Sequence, residues 1–518
     1  MYIDFLFITI FIKMKRNIYL LLISVAIAYL INKLIFNVDS TLPLLNTLLL
    51  ITIYLSSFSC TIYGSVFITF LLFLFSLELF YVINSHERFS LLVLDSVIET
   101  NPLEMVRMSS SFLPTIIIPS LLLCMILIYI RLKTKKHKMN NYIILLIFFL
   151  LSLLTIKNIY STDRLVPDIR EDNKILGKYL HNKFPTIIGD LSYLFISVIS
   201  NDKYKQDNLS NKIVDESILN TKSSNNTYHN IVVIIGESSL SSRYHSYGYE
   251  KNTTPNLDKM IDNGIGCIVN NVHSSAPITR DSISMSLSFN SPENDEKMFS
   301  RKTIIDMAKD SNYSTYWIGS QSLNGVYSSK YGYIAKKSDH IFLTQEEDDK
   351  IPDILEKEIN NNSENKFIVI HLLGSHLPYT NYYYNDKKNN PDMDDYDLTI
   401  LKTDNIISRI QSIVENSGDY VLIYTSDHGE IVNKGHGFRY GKDQFLIPLF
   451  LFTNQDQKLC KYINKFRSNN GWLNGNMNKY ILSEFLGYNI DEKYFNKEKE
   501  QDKILNANSE IMLFEQID

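Results

Sequence analysis

Residues 420–430 read Y-V-L-I-Y-T-S-D-H-G-E, and this stretch decides the fold class of the second half of the chain. Its first six residues form a largely apolar, partly β-branched run, which is typical of a strand buried on both faces. The polar residues Ser426, Asp427 and His428 follow this run directly. Ligand sites in open α/β sheets collect at the carboxyl ends of parallel strands, so the pattern predicts a site here.

Two more apolar runs end in the same way. Residues 231–235 read I-V-V-I-I and lead through a glycine into Glu237. Residues 367–370 lead into His371 and then into a glycine-containing turn with His376. Recurring buried strands of this kind predict an α/β domain with a central, mostly parallel sheet flanked by helices.

Carboxylate and imidazole side chains at these strand ends form a candidate metal site. Eight histidines lie in residues 229–518, and four of them stand at strand ends or in glycine-flanked turns: His371, His376, His428 and His436. A single histidine in such a place is more often a core or surface residue than a ligand. Carboxylates and imidazoles together, without cysteine, suit a catalytic zinc ion.

A nucleophile for such a site is offered by P-I-T-R-D-S at residues 277–282. The stretch predicts the start of a helix with Thr279 in the first turn, where free backbone N–H groups favour a phosphate. Thr279 either caps this helix or acts as the nucleophile, and the spacing alone fits both interpretations.

The first 157 residues are crowded with Leu, Ile and Phe, unlike the Asn-, Asp- and Lys-rich remainder. Five apolar stretches reach or approach the length that a helix needs to cross about 30 Å of hydrocarbon: 18–36, 42–58, 62–83, 112–130 and 142–156. A soluble core would require polar faces that these stretches lack. We therefore expect residues 1–157 to form a transmembrane domain with five helical spans.

Charge sets the expected orientation and excludes one class of partner. Basic residues cluster at 13–16, before the first predicted span, and at 131–138, between the fourth and fifth, so both segments are predicted to stay in the cytoplasm. Five spans then export everything after Lys157.

The net charge of −5 excludes a nucleic-acid-binding protein that relies on a global basic field. No cleaved signal peptide is expected, and either Met1 or Met14 is the start.

Residues 158–229 are predicted to join the two halves. Their first part has the pattern of juxtamembrane helices, with an apolar stripe that lies either on the bilayer surface or against the following domain. Residues 201–230 are rich in Ser, Asn and Lys and have the composition of a polar linker. The exported domain is then expected at 230–518, where Cys267 and Cys460 either form a disulfide or stay reduced.

Several motifs taken together resemble one family. They are G-E-S-S at 236–239, G-Y-E-K-N-T-T-P-N-L at 248–257, S-S-A-P-I-T-R-D-S at 274–282, H-L-L-G-S-H-L-P at 371–378, and S-D-H-G-E followed by G-H-G. With the five predicted spans, they resemble the membrane-bound phosphoethanolamine transferases of the alkaline phosphatase and sulfatase superfamily. The resemblance covers most of the chain.

This resemblance implies roles for the site residues. Four of them would surround a zinc ion: Glu237, Thr279, Asp427 and His428. Thr279 would be the nucleophile. His376 and His436 would contact the phosphoryl group, the leaving group or a second zinc ion, and His371 would lie nearby. One or two zinc ions are therefore expected.

Donor recognition is expected between the third and fourth predicted spans. The stretch V-I-E-T-N-P-L-E at 97–104 resembles the family segment that holds the donor headgroup. Ser96, Thr100 and Glu104 are four residues apart on one helical face, so Glu104 would pair with an ethanolamine ammonium. A solvated helix face explains the same spacing. Lipid-A-modifying members of the family carry Asn where this chain has Ser96.

The reaction that the resemblance implies is transfer of phosphoethanolamine from phosphatidylethanolamine, through a phosphothreonine intermediate, with release of diacylglycerol. The acceptor would be lipopolysaccharide core, lipid A or a periplasmic glucan. Few cysteines in the exported domain, and W-I-G-S-Q at 317–321, distinguish the chain from the lipid-A branch and favour the core- or glucan-modifying branch. The implied enzyme is a monomer in the bacterial inner membrane, with its catalytic domain in the periplasm.

Three alternatives stay open. A sulfatase motif fits Ser275 and Pro277, but Arg280 comes one place late and Thr279 occupies its position. A lipoteichoic acid synthase shares the five-span design and the threonine nucleophile, but its donor is phosphatidylglycerol and its motifs fit less well. An envelope scaffold without activity would have to retain every metal-ligand type by accident.

Overall fold

A computed structural model describes residues 62–85, 88–99, 113–133, 173–183, 186–200, 219–220 and 228–518, except for 296, 324–328, 346, 362–363, 456–458 and 491. The chain divides into two compact units. The first unit contains the described residues from 62 to 98 and from 113 to 200. The second contains residues 219–220 and those from 228 onward.

The described part of the first unit is helical. Its helices are α1 (Ile62–Ser85), α2 (Leu91–Glu99), α3 (Ile118–Lys133), α4 (Asn173–Lys183) and α5 (Thr186–Ser200), and a π-helical turn at Leu113–Ile117 leads into α3. Helix α1 covers the third predicted span, and the π-helical turn with α3 covers nearly all of the fourth. The other three predicted spans lie outside the described residues. Within the described ranges, no helix meets the length and hydropathy requirements of a membrane span.

Helices α4 and α5 form a hairpin that is fixed to the segment before α2 by buried polar contacts. Arg88 Nη2 lies 3.0 Å from Asp190 Oδ1, and His181 Nε2 lies 3.1 Å from the carbonyl oxygen of Phe89. Phe195 on α5 is 69 % exposed. The segment predicted to hold juxtamembrane helices therefore contains two helices, and the apolar side chain of Phe195 is exposed.

The second unit is built on a seven-stranded sheet. Its strands lie in the order β3 (Gly266–Ile268), β9 (Leu449–Thr453), β8 (Tyr420–Ser426), β2 (Asn230–Gly236), β7 (Lys366–His371), β5 (Ser314–Gly319) and β6 (His340–Leu343). The four pairs from β8 to β6 are parallel, and β9 runs antiparallel to both of its neighbours. The prediction of a central, mostly parallel sheet is confirmed. The antiparallel edge makes the sheet mixed.

Short strands complete the second unit: β1 (Leu219–Asn220), β4 (Val272–His273), β10 (Leu473–Asn474), β11 (Asn489–Ile490), β12 (Lys503–Leu505) and β13 (Ile511–Leu513). Its helices are α6 (Pro255–Asp262), α7 (Thr279–Leu287), α8 (Lys297–Ser300), α9 (Ile304–Asp310), α10 (Ser329–Ala335), α11 (Ile351–Ile359), α12 (Tyr384–Asn389), α13 (Asp395–Glu415), α14 (Leu459–Tyr462), α15 (Asn478–Phe485) and α16 (Glu492–Gln501).

Helices cover both faces of the central strands. On one face, alternate residues of β2, β7 and β8 pack in a core with α7, α9, α10 and α15. On the other, α11 and α13 contact β5, β2 and β8. Burial on both faces explains why these strands are continuous apolar runs without a polar alternation.

The register of the central strands aligns their carboxyl ends. Ile235 pairs with both His371 of β7 and Thr425 of β8, and Gly236 pairs with Ser426. The residues that follow the three strands therefore emerge at one edge of the sheet. This alignment brings together segments that lie far apart in the sequence.

A disulfide joins Cys267 of β3 to Cys460 of α14, with their Cα atoms 6.2 Å apart. Of the two alternatives for these cysteines, the structure shows the disulfide. It ties the antiparallel edge of the sheet to a helix 193 residues later.

The loop after β7 lies directly against the residue that follows β2. Ser375 N–H donates to the carbonyl oxygen of Glu237 at 3.0 Å. Gly374 has a φ of +54°, and a Cβ at this position would lie 2.8 Å from the Glu237 nitrogen and 2.9 Å from its oxygen. Only glycine fits this crossing, because any Cβ would collide with rigid backbone.

We predict that Gly374→Ala lowers the stability of the second unit more than a matched glycine substitution does. The control is Gly248→Ala, since Gly248 has a φ of +95° and no described atom lies within 4 Å of its Cβ position. Both variants carry the backbone cost of a positive φ, and only Gly374→Ala adds the collision, which should cost about 1–3 kcal/mol more. Thermal unfolding of both variants measures the difference, and equal midpoints would contradict this packing.

Candidate active site

Glu237 lies at the centre of the strand-end cluster and is 1 % exposed. It directly follows β2, so its side chain leaves the sheet at the aligned edge. Thr279 Oγ1 lies 3.2 Å from both of its carboxylate oxygens and donates to them. Gln321 Nε2 donates to Oε2 at 2.8 Å, and Ser238 Oγ donates to Oε1 at 3.2 Å. The carboxylate is therefore held in one position by donors from several segments.

His428 points its Nε2 atom at the same place. Its Nδ1 atom lies 2.7 Å from the carbonyl oxygen of Gly429, which only accepts hydrogen bonds, so Nδ1 carries the proton. Nε2 is then left with a lone pair. It lies 3.3 Å from Glu237 Oε1, 3.3 Å from Asp427 Oδ2 and 3.4 Å from Thr279 Oγ1. A buried imidazole held in this tautomer has the arrangement of a metal ligand.

Asp427 has one satisfied and one unsatisfied carboxylate oxygen. Oδ1 accepts from the backbone N–H groups of Ser238 at 3.1 Å and His428 at 2.7 Å. Oδ2 is buried and has no hydrogen-bond partner among the described residues. A buried charged oxygen without a donor is costly, so this atom fits a ligand that the protein chain itself does not supply.

The electrostatics of the two carboxylates point to a cation between them. Burial raises the pKa of Asp427 well above its ordinary value, and the negative charge of Glu237 raises it further. Burial opposes the charge of Glu237 too, but the nearby imidazoles of His371 and His428 hold its pKa well below the usual range. Both acids would be ionised together only with a positive charge beside them.

The donor atoms fit a zinc ion. Glu237, His428 and His436 each offer one ligand atom, and these three atoms lie within 4.8 Å of one another. Asp427 adds the unsatisfied oxygen described above. Carboxylate and imidazole donors are the ligand set that catalytic zinc uses. The second ring nitrogen of His428 is hydrogen-bonded to a carbonyl oxygen, as is usual for a histidine that binds a metal.

The remaining predicted histidines lie around this cluster. The ring of His436 is 4.1 Å from that of His428 and 6.4 Å from that of His376, measured between centroids. His371 is fully buried, with Nε2 3.7 Å from Glu237 Oε2. Neither of its ring nitrogens has a hydrogen-bond partner in the described part of the chain. The structure thus brings every predicted site residue of the second unit to one sheet edge.

Three predicted donor-binding residues are not placed by the structure. Thr100 and Glu104 lie outside the described residues. Ser96 belongs to α2, but its side chain is also outside what the structure describes. The donor segment therefore stays a prediction.

Thr279 is the first residue of α7, and the N-cap position belongs to Ile278. The Thr279 hydroxyl donates to Glu237 instead of accepting from the helix backbone. Of the two interpretations left open by the sequence, this geometry favours a chemical role over a capping role.

Two polar residues of the site were missed by the sequence analysis. Gln321 donates to Glu237 and also to the carbonyl oxygen of Leu372 at 3.0 Å. It follows the end of β5, so the rule that polar residues after buried strands form the site would have found it. Glu430 is fully buried and accepts from His436 Nδ1 at 2.8 Å. Glu430 ends the S-D-H-G-E motif, but the sequence pattern alone indicates no role for it.

Comparison with known proteins agrees with this geometry. Residues 229–477 match the Sulfatase family. The chain is 26% identical over 267 residues to phosphoethanolamine transferase EptC of Escherichia coli, a match that covers 45% of this chain and 46% of that protein. The chain thus spans about half the length of the relatives it matches.

Two solved structures share the fold. One is the C-terminal periplasmic domain of EptC from Escherichia coli in complex with Zn, with a TM-score of 0.51 and 20% identity over 58% of this chain and 96% of that one. The other is the integral membrane protein lipooligosaccharide phosphoethanolamine transferase A (EptA) from Neisseria meningitidis, with a TM-score of 0.58 and 15% identity over 90% of this chain and 95% of that one. At such identities the likeness shows the fold alone.

The sheet, the strand-end cluster and the matched residues lead to one conclusion: residues 229–477 of this chain match the Sulfatase family, and the second unit has a fold similar to that of the periplasmic domain of phosphoethanolamine transferase EptC.

Proposed function

We propose that this protein transfers phosphoethanolamine from phosphatidylethanolamine to a cell-envelope glycan or lipopolysaccharide, through a covalent intermediate on Thr279. The observation that carries the proposal is the hydrogen bond from Thr279 Oγ1 to Glu237 at the start of α7. A hydroxyl that donates its proton to a buried carboxylate, at a helix N-terminus, is prepared to attack a phosphate. The names of the relatives supply the phosphoethanolamine group.

The match to the Sulfatase family does not make a sulfatase the better interpretation. By the spacing of the sulfatase motif, the residue that a sulfatase would modify is Ser275. Ser275 Oγ instead donates to Asn474 Oδ1 at 2.8 Å, whereas Thr279 faces Glu237 and His428. In the segment that would carry the sulfatase motif, the hydroxyl at the candidate metal site is therefore that of a threonine, which cannot become formylglycine.

Zinc would be held by Glu237, Asp427 and His428, with Thr279 and His436 beside it. A bound zinc ion lowers the pKa of an adjacent hydroxyl and offsets negative charge on a phosphoryl group. The chain's own residues do the positioning: Glu237 holds the Thr279 hydroxyl, and the Gly429 carbonyl holds His428. The number of ions is one or two.

The reaction would proceed in two displacements. Thr279 Oγ forms a bond to phosphorus as the bond from phosphorus to the diacylglycerol oxygen breaks, and the threonine proton passes to Glu237, its present acceptor. His376 or His436 protonates the departing oxygen. An acceptor hydroxyl then attacks phosphorus and gives its proton to the same histidine, the bond to Thr279 breaks, and Thr279 recovers its proton from Glu237.

The membrane half fits a lipid donor. We propose that residues 1–157 form a five-span domain of the bacterial inner membrane, that 158–229 join it to the catalytic domain, and that 230–518 lie in the periplasm. Ser96, Thr100 and Glu104 would hold the ethanolamine headgroup. The acceptor would be lipopolysaccharide core or a glucan in preference to lipid A, and the enzyme would act as a monomer.

The donor and the reaction can be tested with the full chain purified in detergent. Phosphatidylethanolamine labelled in the ethanolamine group should yield one diacylglycerol for each label transferred to lipopolysaccharide or glucan. Release of the label only as free phosphoethanolamine would indicate a phosphodiesterase. Turnover of phosphatidylglycerol in place of phosphatidylethanolamine would favour the synthase alternative. Mass spectrometry of envelope molecules from cells with and without the gene identifies the acceptor.

We predict that Asp427→Ala and His428→Ala each lose most of the bound zinc while the protein stays folded, because the sheet does not depend on these side chains. The matched control is His245→Ala, since His245 pairs with Asp258 at 2.6 Å in an exposed acid–histidine pair. Metal analysis by mass spectrometry should show full zinc content in the control. Full zinc content in the Asp427 and His428 variants would place the metal elsewhere.

We predict opposite effects for two buried threonines at helix starts. Thr279→Ala should reduce transfer at least about 1,000-fold with little loss of stability, because it removes a nucleophile. Thr303 is a true N-cap, whose Oγ1 accepts from Asp306 N–H in a capping box, so Thr303→Ala should cost about 0.5–2 kcal/mol and keep its activity. Activity assays and thermal unfolding separate the two. A Thr279→Ala variant that is active but less stable would show that Thr279 is only structural.

A further inference from the structure

We propose that Tyr379 and Glu430 act as a pair that positions His436, fixing the proton on its Nδ1 atom and directing Nε2 into the active site. The contacts that support this are internal to the second unit and do not depend on the reaction. Their consequence for turnover rests on the proposed function.

Glu430 is the centre of the pair. Its side chain is fully buried, and each carboxylate oxygen has one donor: the Tyr379 hydroxyl lies 2.7 Å from Oε1, and His436 Nδ1 lies 2.8 Å from Oε2. A carboxylate at this distance accepts the Nδ1–H proton, so the ring keeps that proton and leaves Nε2 as the nitrogen available to the site.

Tyr379 holds Glu430 and joins two loops. It belongs to the loop after β7, while Glu430 and His436 follow β8. Its hydroxyl also accepts from the backbone N–H of Asn433 at 3.1 Å, so one phenol oxygen fixes both the carboxylate and the turn that precedes His436. That turn is closed by the Ile431 N–H donating to the Gly435 carbonyl at 3.0 Å.

The backbone of Tyr379 is strained in a way that suits this role. Its φ is +58°, in the left-handed region that costs a bulky residue free energy, and its side chain is only 4 % exposed. Such a conformation persists where the surrounding contacts determine it. Here those contacts include the side-chain hydrogen bonds to Glu430 and Asn433 and a backbone hydrogen bond from Tyr379 N–H to the carbonyl oxygen of His376 at 3.0 Å.

The position of His436 explains why a positioning pair would be needed. His436 offers a ring nitrogen within 4.8 Å of the Glu237 and His428 ligand atoms, yet it lies in a loop and its side chain is 18 % exposed, unlike that of the buried His428. A histidine in such a loop would sample both tautomers and several orientations. A buried carboxylate held by a second residue removes that freedom.

The test uses the full-length, zinc-loaded protein and needs no acceptor. Nitrogen NMR of ¹⁵N-histidine-labelled protein, with His436 assigned by the signal lost in His436→Gln, reports which ring nitrogen carries the proton. We expect a protonated Nδ1 in the wild type and a mixture of tautomers in Tyr379→Phe and Glu430→Gln. The matched control is Tyr382→Phe, whose lost hydroxyl accepts from the Lys387 ammonium at 3.1 Å. An unchanged His436 spectrum in both test variants would overturn the proposal.

A second measurement separates this proposal from the proposed function. Tyr379→Phe should lower kcat about 10- to 100-fold with little change in KM for the donor. The same substitution in a His436→Ala background should lower kcat less than about twofold further, because its effect passes through His436. If Tyr379→Phe lowered kcat by the same factor in the His436→Ala background as in the wild type, the positioning role would be overturned. A wild type that transfers no phosphoethanolamine would defeat the proposed function and leave the NMR result valid.

Discussion

The structure of the site depends on two buried carboxylates that the sheet forces together. Gly236 of β2 pairs with Ser426 of β8, so Glu237 and Asp427 leave adjacent parallel strands at the same level. Two ionised carboxylates cannot share such a dry position without a positive charge between them. The unsatisfied oxygen of Asp427 and the bare Nε2 of His428 both face this position. A cation at this position would satisfy both atoms.

Buried hydrogen bonds make the strand-end loops rigid enough for this task. Asp348 accepts from the backbone N–H groups of Leu373 at 2.8 Å and Gly374 at 3.1 Å, which fixes the loop after β7. The Tyr396 hydroxyl donates to the carbonyl oxygen of Ser238 at 2.7 Å and accepts from Leu240 N–H at 2.8 Å, which fixes the loop after β2. Loops stabilised in this way keep ligands in place without help from a regular strand or helix.

The sequence was sufficient for features that depend on local pattern. Continuous apolar runs followed by polar residues predicted three central strands and the Glu237, Asp427 and His428 positions. Features that depend on distant partners could not be read in this way. The hydroxyl of Thr279 contacts Glu237, 42 residues away in the sequence, and Gln321 contacts Glu237 across 84 residues. The Tyr379–Glu430 contact and the disulfide, 51 and 193 residues apart, needed the fold. The antiparallel β9 also escaped prediction, since an apolar run does not reveal its direction.

We propose that Thr279 carries the phosphoethanolamine between donor and acceptor. The most direct test is to incubate the zinc-loaded full-length protein with phosphatidylethanolamine, without acceptor, and to analyse its peptides by mass spectrometry. We expect a phosphoethanolamine adduct on Thr279, which disappears when acceptor is added. An adduct on Ser274, Ser275 or Ser282 would contradict the assignment of Thr279. Acceptor modification without any adduct would contradict the covalent mechanism itself.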